Sequence, residues 1–591
     1  MNFIKNILKS AIKGVITFFI SLFMIIFLIS IVSALFSSDT EKEVTIEPNS
    51  LLYINNLSII GDRDTKPSEL DFNLNELPLP IPILDNSNTQ QKISLKSFES
   101  ILESAKDDDN IKGIYLNLEN VTLSFNKSKK VRDLLKNFKE TKPIYSFSDL
   151  QTKNAYYISS ISNFIAISPP GFISVSGFGI NSFFYKNLFE ELGINIQLFR
   201  VGEYKGAAET YVRNDFSEEN KEQYLNLLNY RMENYLEDIS NSREISEDKL
   251  LSEIEKFNTE LAVDALANNL VDSLLYEDQM EEYLKIKVDS SYNEVNLFDY
   301  RKSLKKTNRY NKNKVAVLYA IGDILPGSGD DGIYSETIIK DIKKIRKNKN
   351  IKSVILYVNS GGGSAFASDL ITRELELLAA KKPLVTYMSD VCASGGYFIA
   401  MPSDTIIASE GSIVGSIGVF GILPELSTLI KEKLKISVDE IKTNNNVGEI
   451  DFSRPLTNDE RNLVQRGINQ VYDDFLDVVS KGRNITKDQV DKLARGKVYY
   501  GNQGKDLNLV DVIGDFNDAI NIASKLADLE KFQLVEYPKQ KTEIEKLLVS
   551  LQQTGLKINP LFNEKDNWLI HSFTKSKRFD PFQMRIEYKI D

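Results

Sequence analysis

The segment NIKGIYLNL, starting at Asn110, returns as NIKSVILYV at Asn350, about 240 residues further on. KPIYSFSD from Lys142 is answered by KPLVTYMSD from Lys382, and ALANNLVD ending at Asp272 by GKDLNLVD ending at Asp511. Order and spacing kept over successive blocks mark a tandem duplication, which chance likeness between apolar runs would not produce. Each copy alternates short β-branched runs with helical periods. In the second copy these are a strand over Val354–Val358, a glycine-rich turn, a helix over Ala367–Ala380 and a strand over Leu384–Met388. That alternation predicts an α/β fold of βαβ units with a largely parallel sheet in each copy.

The repeat divides the chain into an N-terminal unit over 46–300, a Lys/Arg-dense connector over 301–314, a C-terminal unit over 315–530 and a tail over 531–591 whose role the sequence leaves open. Residues 1–45 are of another kind. Gly14–Phe36 carries no charge over its 23 residues, long enough as a helix to cross a hydrocarbon core of roughly 30 Å. Lys5, Lys9 and Lys13 precede it, and Asp39, Glu41 and Glu43 follow. The expectation is an uncleaved membrane anchor with its N-terminus in the cytoplasm and the rest of the chain outside; a cleaved signal peptide, with Ser33 and Ala34 near its cleavage site, is the alternative. A net charge of −11 argues against a nucleic-acid-binding surface. The single cysteine, Cys392, excludes an intramolecular disulfide and a Cys-based zinc site and is expected to be a buried packing residue. No cofactor and no metal is expected.

The copies differ where chemistry would show. The second has NSGGGS over Asn359–Ser364 after its strand, where the first has LENVTLS over Leu118–Ser124. Glycines there free the backbone to aim N–H groups outward. One step on, the second copy has CASGG where the first has QTKNA, so Ser394 aligns with Lys153 and Gly395 with Asn154. A serine before Gly-Gly at a strand-to-helix junction suits acyl transfer as a nucleophile beside a backbone donor, and equally suits a plain helix cap. A serine nucleophile needs a base, and the one histidine, His571, lies outside both units. A desolvated lysine can serve. Among many lysines in solvated contexts, Lys205 stands apart, set among Gly202, Gly206, Ala207 and Ala208 after a strand over Asn195–Arg200.

Together NSGGGS, ASGGYFIA, GSIVGSIGVFG and EYKGAAE, in this order of units, resemble signal peptide peptidase A of the long, duplicated type (the protease IV family). The resemblance implies two ClpP/crotonase-like units and a membrane-anchored serine protease. Ser394 would be its nucleophile, Lys205 its general base and Ser416 the residue holding the lysine amine. The oxyanion donors would be the N–H of Gly395 and one from Gly363 or Gly362. It also implies signal-peptide remnants and short apolar peptides as substrates, a homotetramer, and the bacterial inner membrane with the catalytic part periplasmic. Gly361 stands where the family usually has proline, which loosens the glycine turn. In the second unit the position matching Lys205 falls near Asn445, and the one nearby amine is Lys442. A crotonase-type acyl-CoA enzyme and a non-catalytic membrane-tethered scaffold are the competing readings.

Overall fold

The structure is a computed structural model that describes residues 44–65, 91–304, 311–444, 446, 450–540 and 583–585, with isolated positions between 14 and 26. The anchor expected at Gly14–Phe36 therefore falls largely outside the described residues, as do His571 and Asn445. Among the described residues no helix is long and apolar enough to cross a membrane.

The first unit is built on a parallel sheet of β1 (Ser50–Ile54), β4 (Ile111–Leu116), β5 (Ile144–Gln151), β6 (Phe164–Ile173), β8 (Ser273–Leu274) and β9 (Asn293–Asn296), in the order β8-β6-β5-β4-β1-β9. A short parallel pair, β2 (Ile60–Gly61) with β3 (Ile93–Ser94), lies beside it. The second unit repeats the plan with β10 (Lys314–Ile321), β13 (Ile351–Ser360), β15 (Leu384–Ala393), β17 (Ile413–Gly415), β19 (Val498–Tyr500) and β21 (Gln533–Tyr537), ordered β19-β17-β15-β13-β10-β21, while β16 (Thr405–Ala408) and β20 (Val512–Ile513) branch from β15. The central strands of both sheets are near-continuous apolar runs because helices cover both faces. Apolar cores lie on the two faces of each sheet. β21 belongs to the segment read from sequence as a tail, yet it pairs in parallel with β10 and extends the second sheet.

The duplication is visible down to single bonds. Helices Glu218–Arg243 and Asn458–Arg483 are each 26 residues long, begin at a Ser217 or Thr457 cap, and end on a left-handed residue, Glu244 or Asn484. The last arginine of each reaches an aspartate beyond it, Arg243 to Asp272 and Arg483 to Asp511. Tyr156 and Tyr397 each donate to a backbone carbonyl, of Leu270 and Leu509, at 2.8 Å.

A third sheet belongs to neither copy alone. It runs β12-β11-β14-β22-β18-β7, from β11 (Ile324–Leu325), β12 (Ile333–Tyr334), β14 (Gly362–Ser364), β18 (Val419–Glu425) and β22 (Gln583–Arg585) of the second half and β7 (Asn195–Val201) of the first. β7 and β18 pair antiparallel over seven residues, from Val201↔Val419 to Asn195↔Glu425. This ladder carries the end of β7, and the segment after it, into the second unit.

Candidate active site

Ser394 stands between β15 and the helix Gly395–Ala400, with φ 55° and ψ −119°. That backbone conformation is costly for a residue with a Cβ and is kept only where the surroundings hold it. Here the Ser394 N–H donates to Gly415 O at 2.8 Å, and β15 pairs with β17 through Val391↔Ile413, Cys392↔Val414 and Ala393↔Gly415. The turn aims the hydroxyl away from the helix, so that it makes no side-chain cap. The helix-cap alternative therefore does not describe this serine.

Lys205 arrives from the other half. After β7 the chain turns at Gly202 (φ 104°), the Tyr204 N–H donates to Arg495 O at 3.0 Å, and the Lys205 N–H donates to Gly202 O at 3.2 Å. The amine is then 2.7 Å from Ser394 Oγ, 2.9 Å from Ser416 Oγ and 3.0 Å from Ser416 O. Lys205 is 2% exposed, and no carboxylate among the described residues forms an ion pair with it. Burial alone holds its pKa well below the usual lysine value, because the charged form has lost water and gained no counter-charge. Its three partners are neutral oxygens. A neutral amine can donate to the Ser416 carbonyl and accept from the Ser394 hydroxyl. Ser416 itself has φ 52°, and its N–H is tied to Lys497 O at 2.6 Å.

The glycines meet at one point. Gly362 has φ 102°, and a Cβ built on it would lie 2.6 Å from Gly395 N. Any side chain there would fill the space in front of the first N–H of the Gly395–Ala400 helix, which has no intrahelical acceptor. Gly363, with φ 153°, lies against the Ile324 backbone, where a Cβ would come within 2.1 Å of Ile324 O. The Gly362 N–H donates to Ser360 Oγ at 3.1 Å, a bond that an anion in the turn would have to share or replace. The structure thus gathers Ser394, Lys205, Ser416, Gly395, Gly362 and Gly363 into one site.

The matching place in the first unit is filled. Asn154 sends its side-chain amide to Leu123 O at 2.8 Å and Val121 O at 3.3 Å. Lys153 donates to Gly177 O and lies over the Phe178 ring. In the second unit Lys442 is paired with Glu440 at 2.7 Å. Cys392 is fully buried, its thiol donates to Gly396 O at 3.4 Å, and burial pushes its pKa up, so it packs and does not ionise.

Two features escaped the sequence. Gly496 (φ 86°) presses on the lysine, since a Cβ there would be 2.4 Å from Lys205 N. Its only signal is a glycine in a turn between charged residues. The second feature is a buried ion cluster at the junction of the units. Lys127 Nζ lies 2.9 Å from Asp62 and 2.7 Å from Asp390, and Asn359, Tyr357 and Ser124 donate to the same two carboxylates. These partners are too far apart in sequence for spacing to reveal them.

A serine hydroxyl on a strained turn, a desolvated amine against it and a glycine-lined turn beside it define the class, a serine peptidase of the Ser–Lys kind. The chain belongs to peptidase family S49, whose model matches residues 136–291 and 376–530, one match in each unit. It is similar to Protease 4 of Salmonella typhi, 32% identical over 79% of this chain and 77% of that protein, and to Protease 4 of Haemophilus influenzae, 31% identical over 83% and 82%. The chloroplastic serine protease SPPA of Arabidopsis thaliana is 29% identical over 77% and 69%. A solved ClpP1 mutant from Listeria monocytogenes aligns with 34% of this chain and 94% of its own, at 14% identity and a TM-score of 0.25. The chain is a serine protease of the long, duplicated signal peptide peptidase A (protease IV) type.

Proposed function

We propose that the chain hydrolyses cleaved signal peptides and other short apolar peptides with Ser394 as nucleophile and Lys205 as general base. Neutral Lys205 takes the Ser394 proton as Oγ attacks the scissile carbonyl. Ser416 keeps the amine aimed without demanding that it be charged. The oxyanion is held by the N–H of Gly395 and one from the turn, Gly363 or Gly362. The Lys205 ammonium then protonates the leaving amine, and water, activated by the same amine, releases the acyl group. The observation that carries the reading is the 2.7 Å approach of a buried amine, without an ion pair among the described residues, to Ser394 Oγ.

The reading includes ClpP/crotonase-like units, an anchor at Gly14–Phe36, a homotetramer, and a place at the bacterial inner membrane with the peptidase outside the cytoplasm. It also includes the division of the chain at 46–300 and 315–530. The uncharged stretch and its flanking lysines and acids support the anchor. The test is turnover of a synthetic signal peptide by the wild type, Ser394→Ala and Lys205→Ala proteins. Each variant is expected to lose activity about as fully as the double variant, as for groups acting as a unit. Residual activity above about a tenth in Ser394→Ala would remove that serine from the role.

A further inference from the structure

The motif EYKGAAE, Glu203 to Glu209, ends on a glutamate to which the Ser394–Lys205 chemistry gives no part. Glu209 is 1% exposed, and a buried carboxylate costs stability unless it is paired and hydrogen-bonded. Its partners lie on two elements. Oε1 is 3.5 Å from Arg200 Nη1, on β7, and Oε2 accepts the Ser217 N–H at 3.0 Å. Ser217 caps the helix Glu218–Arg243, so the carboxylate joins the strand before Lys205 to the start of the helix after it.

The same helix end presses on the lysine segment directly. Asn220, fully buried, donates to Ser217 Oγ at 3.1 Å, and a Cβ built on Gly206 would lie 2.3 Å from Asn220 Nδ2. Gly206 follows Lys205 in the chain, and its carbonyl accepts the Glu209 N–H at 2.9 Å. One turn further along the helix, Gln223 Oε1 accepts the Val498 N–H at 3.0 Å. Val498 follows Lys497, whose carbonyl accepts the Ser416 N–H at 2.6 Å. The circuit closes at the Lys205 amine, 2.9 Å from Ser416 Oγ. One helix end thus holds both the backbone that carries Lys205 and the residue on which its amine rests.

We infer that Glu209 is a positioning residue of the peptidase, fixing the Lys205 segment to the helix end Ser217–Gln223, which also fixes Ser416. The inference rests on the Ser394–Lys205 reading above. Glu209 acts by accepting the Ser217 hydrogen bond, and not through its charge on the amine. The amine faces the oxygens of Ser394 and Ser416, and burial is the one cause that lowers its pKa. Without Glu209 the lysine segment loses its hydrogen-bonded tie to the helix. The amine then leaves Ser394 part of the time and meets water, which restores its charged form.

The test is the pH dependence of kcat and kcat/KM for a synthetic signal peptide, measured on the full-length wild type and on Glu209→Ala, Glu209→Gln, Gln223→Ala and the double variant Glu209→Ala/Gln223→Ala. Glu209→Ala is expected to lower kcat about tenfold or more with KM within about twofold. It should also move the rise of kcat/KM up by about one pH unit. A mere loss of folded protein would scale the profile without moving it. Glu209→Gln keeps an oxygen for the Ser217 N–H, so its kcat is expected within about threefold of the wild type, with the rise in place. Gln223→Ala leaves Glu209 and its partners intact, tests the circuit even if Glu209→Ala does not fold, and should move the rise in the same direction. The double variant should lose little more than the worse single one, as for residues in one network. A rise that stays in place in Glu209→Ala or in Gln223→Ala overturns the inference. So does Glu209→Gln as slow as Glu209→Ala or with a displaced rise, and so do losses that multiply in the double variant. If the wild type does not turn over the peptide, or Lys205→Ala turns it over as fast as the wild type, the Ser394–Lys205 reading fails and the inference falls with it.

Discussion

Lys205 illustrates how far burial can drive one side chain from its solution behaviour. Its pKa is lowered by desolvation, so between the folded value and the usual lysine range the unfolded chain binds a proton that the folded chain does not. Stability then rises with pH across that window, and at neutral pH the lysine costs stability. Lys205→Met keeps the length without the charge. It is expected to abolish peptidase activity yet raise Tm at neutral pH, with the gain shrinking as pH rises toward about 10.5. Thermal unfolding measured from pH 6 to 10 checks this, and a Tm gain that grew with pH would contradict it. In the wild type, kcat/KM should rise with pH as the amine deprotonates, and Lys205→Arg should stay inactive because guanidinium does not release its proton. Gly362→Ala makes a complementary test. The added methyl would enter the proposed oxyanion site, against Gly395 N, and force a positive φ on alanine, so a fall in kcat of about 10²–10³ is expected, the scale for losing one oxyanion donor. Cys392→Ala, two residues from Ser394, should keep most activity.

At the level of elements, the decisive object is the β7–β18 ladder, which brings a lysine from one half to a serine in the other. A bare copy count would not have required it. The repeat, the βαβ alternation and the glycine turn were legible because each has a period or a local spacing, and the motifs singled out Ser394, Lys205 and Ser416, which the structure brings together. β7 and β18 were not predicted as partners, because antiparallel pairing between distant strands leaves no period in either. The strand β22 was hidden for the same reason, within a tail of no stated role. Gly496 shows how such an arrangement is held. Its backbone packs on that of Lys205, and its N–H donates to Ile417 O at 2.8 Å, next to Ser416. Gly496→Ala would push a methyl into the Lys205 backbone and impose a strained φ of 86°. The expected result is a loss of kcat of tenfold or more, with a folded protein and near-normal far-UV circular dichroism. Unchanged kcat would mean that the lysine segment does not depend on this contact.

On the scale of the whole molecule, the two units must hold their mutual position to a fraction of an ångström for the amine to reach the hydroxyl. The cluster of Asp62, Lys127 and Asp390 sits at that junction, with Asp62 and Lys127 from the first unit and Asp390 on β15, four residues before Ser394. Asn359 ties the same cluster to β13, donating to Asp62 at 2.9 Å and accepting from the Val391 N–H at 3.2 Å. Desolvation pushes the Asp62 carboxyl up, but the Lys127 ammonium and the hydrogen bonds from Lys127, Asn359 and Tyr357 together hold its pKa below the usual carboxylate value. The stability this supplies is present above about pH 4 and is lost as pH falls through the lowered value. Lys127→Met would leave two carboxylates facing each other with little water. At neutral pH it is expected to cost about 3–5 kcal/mol at most, somewhat less given the cluster's slight exposure. Activity should fall with it, since Ser394 and the glycine turn are anchored through β15 and β13. On acidification Asp62, without its lysine, takes up a proton in the variant before it does in the wild type, so the gap in Tm between the two should narrow from pH 7 to pH 3. Thermal unfolding of both proteins over that range decides the matter, and a gap that stayed constant would show that the cluster does not carry the junction.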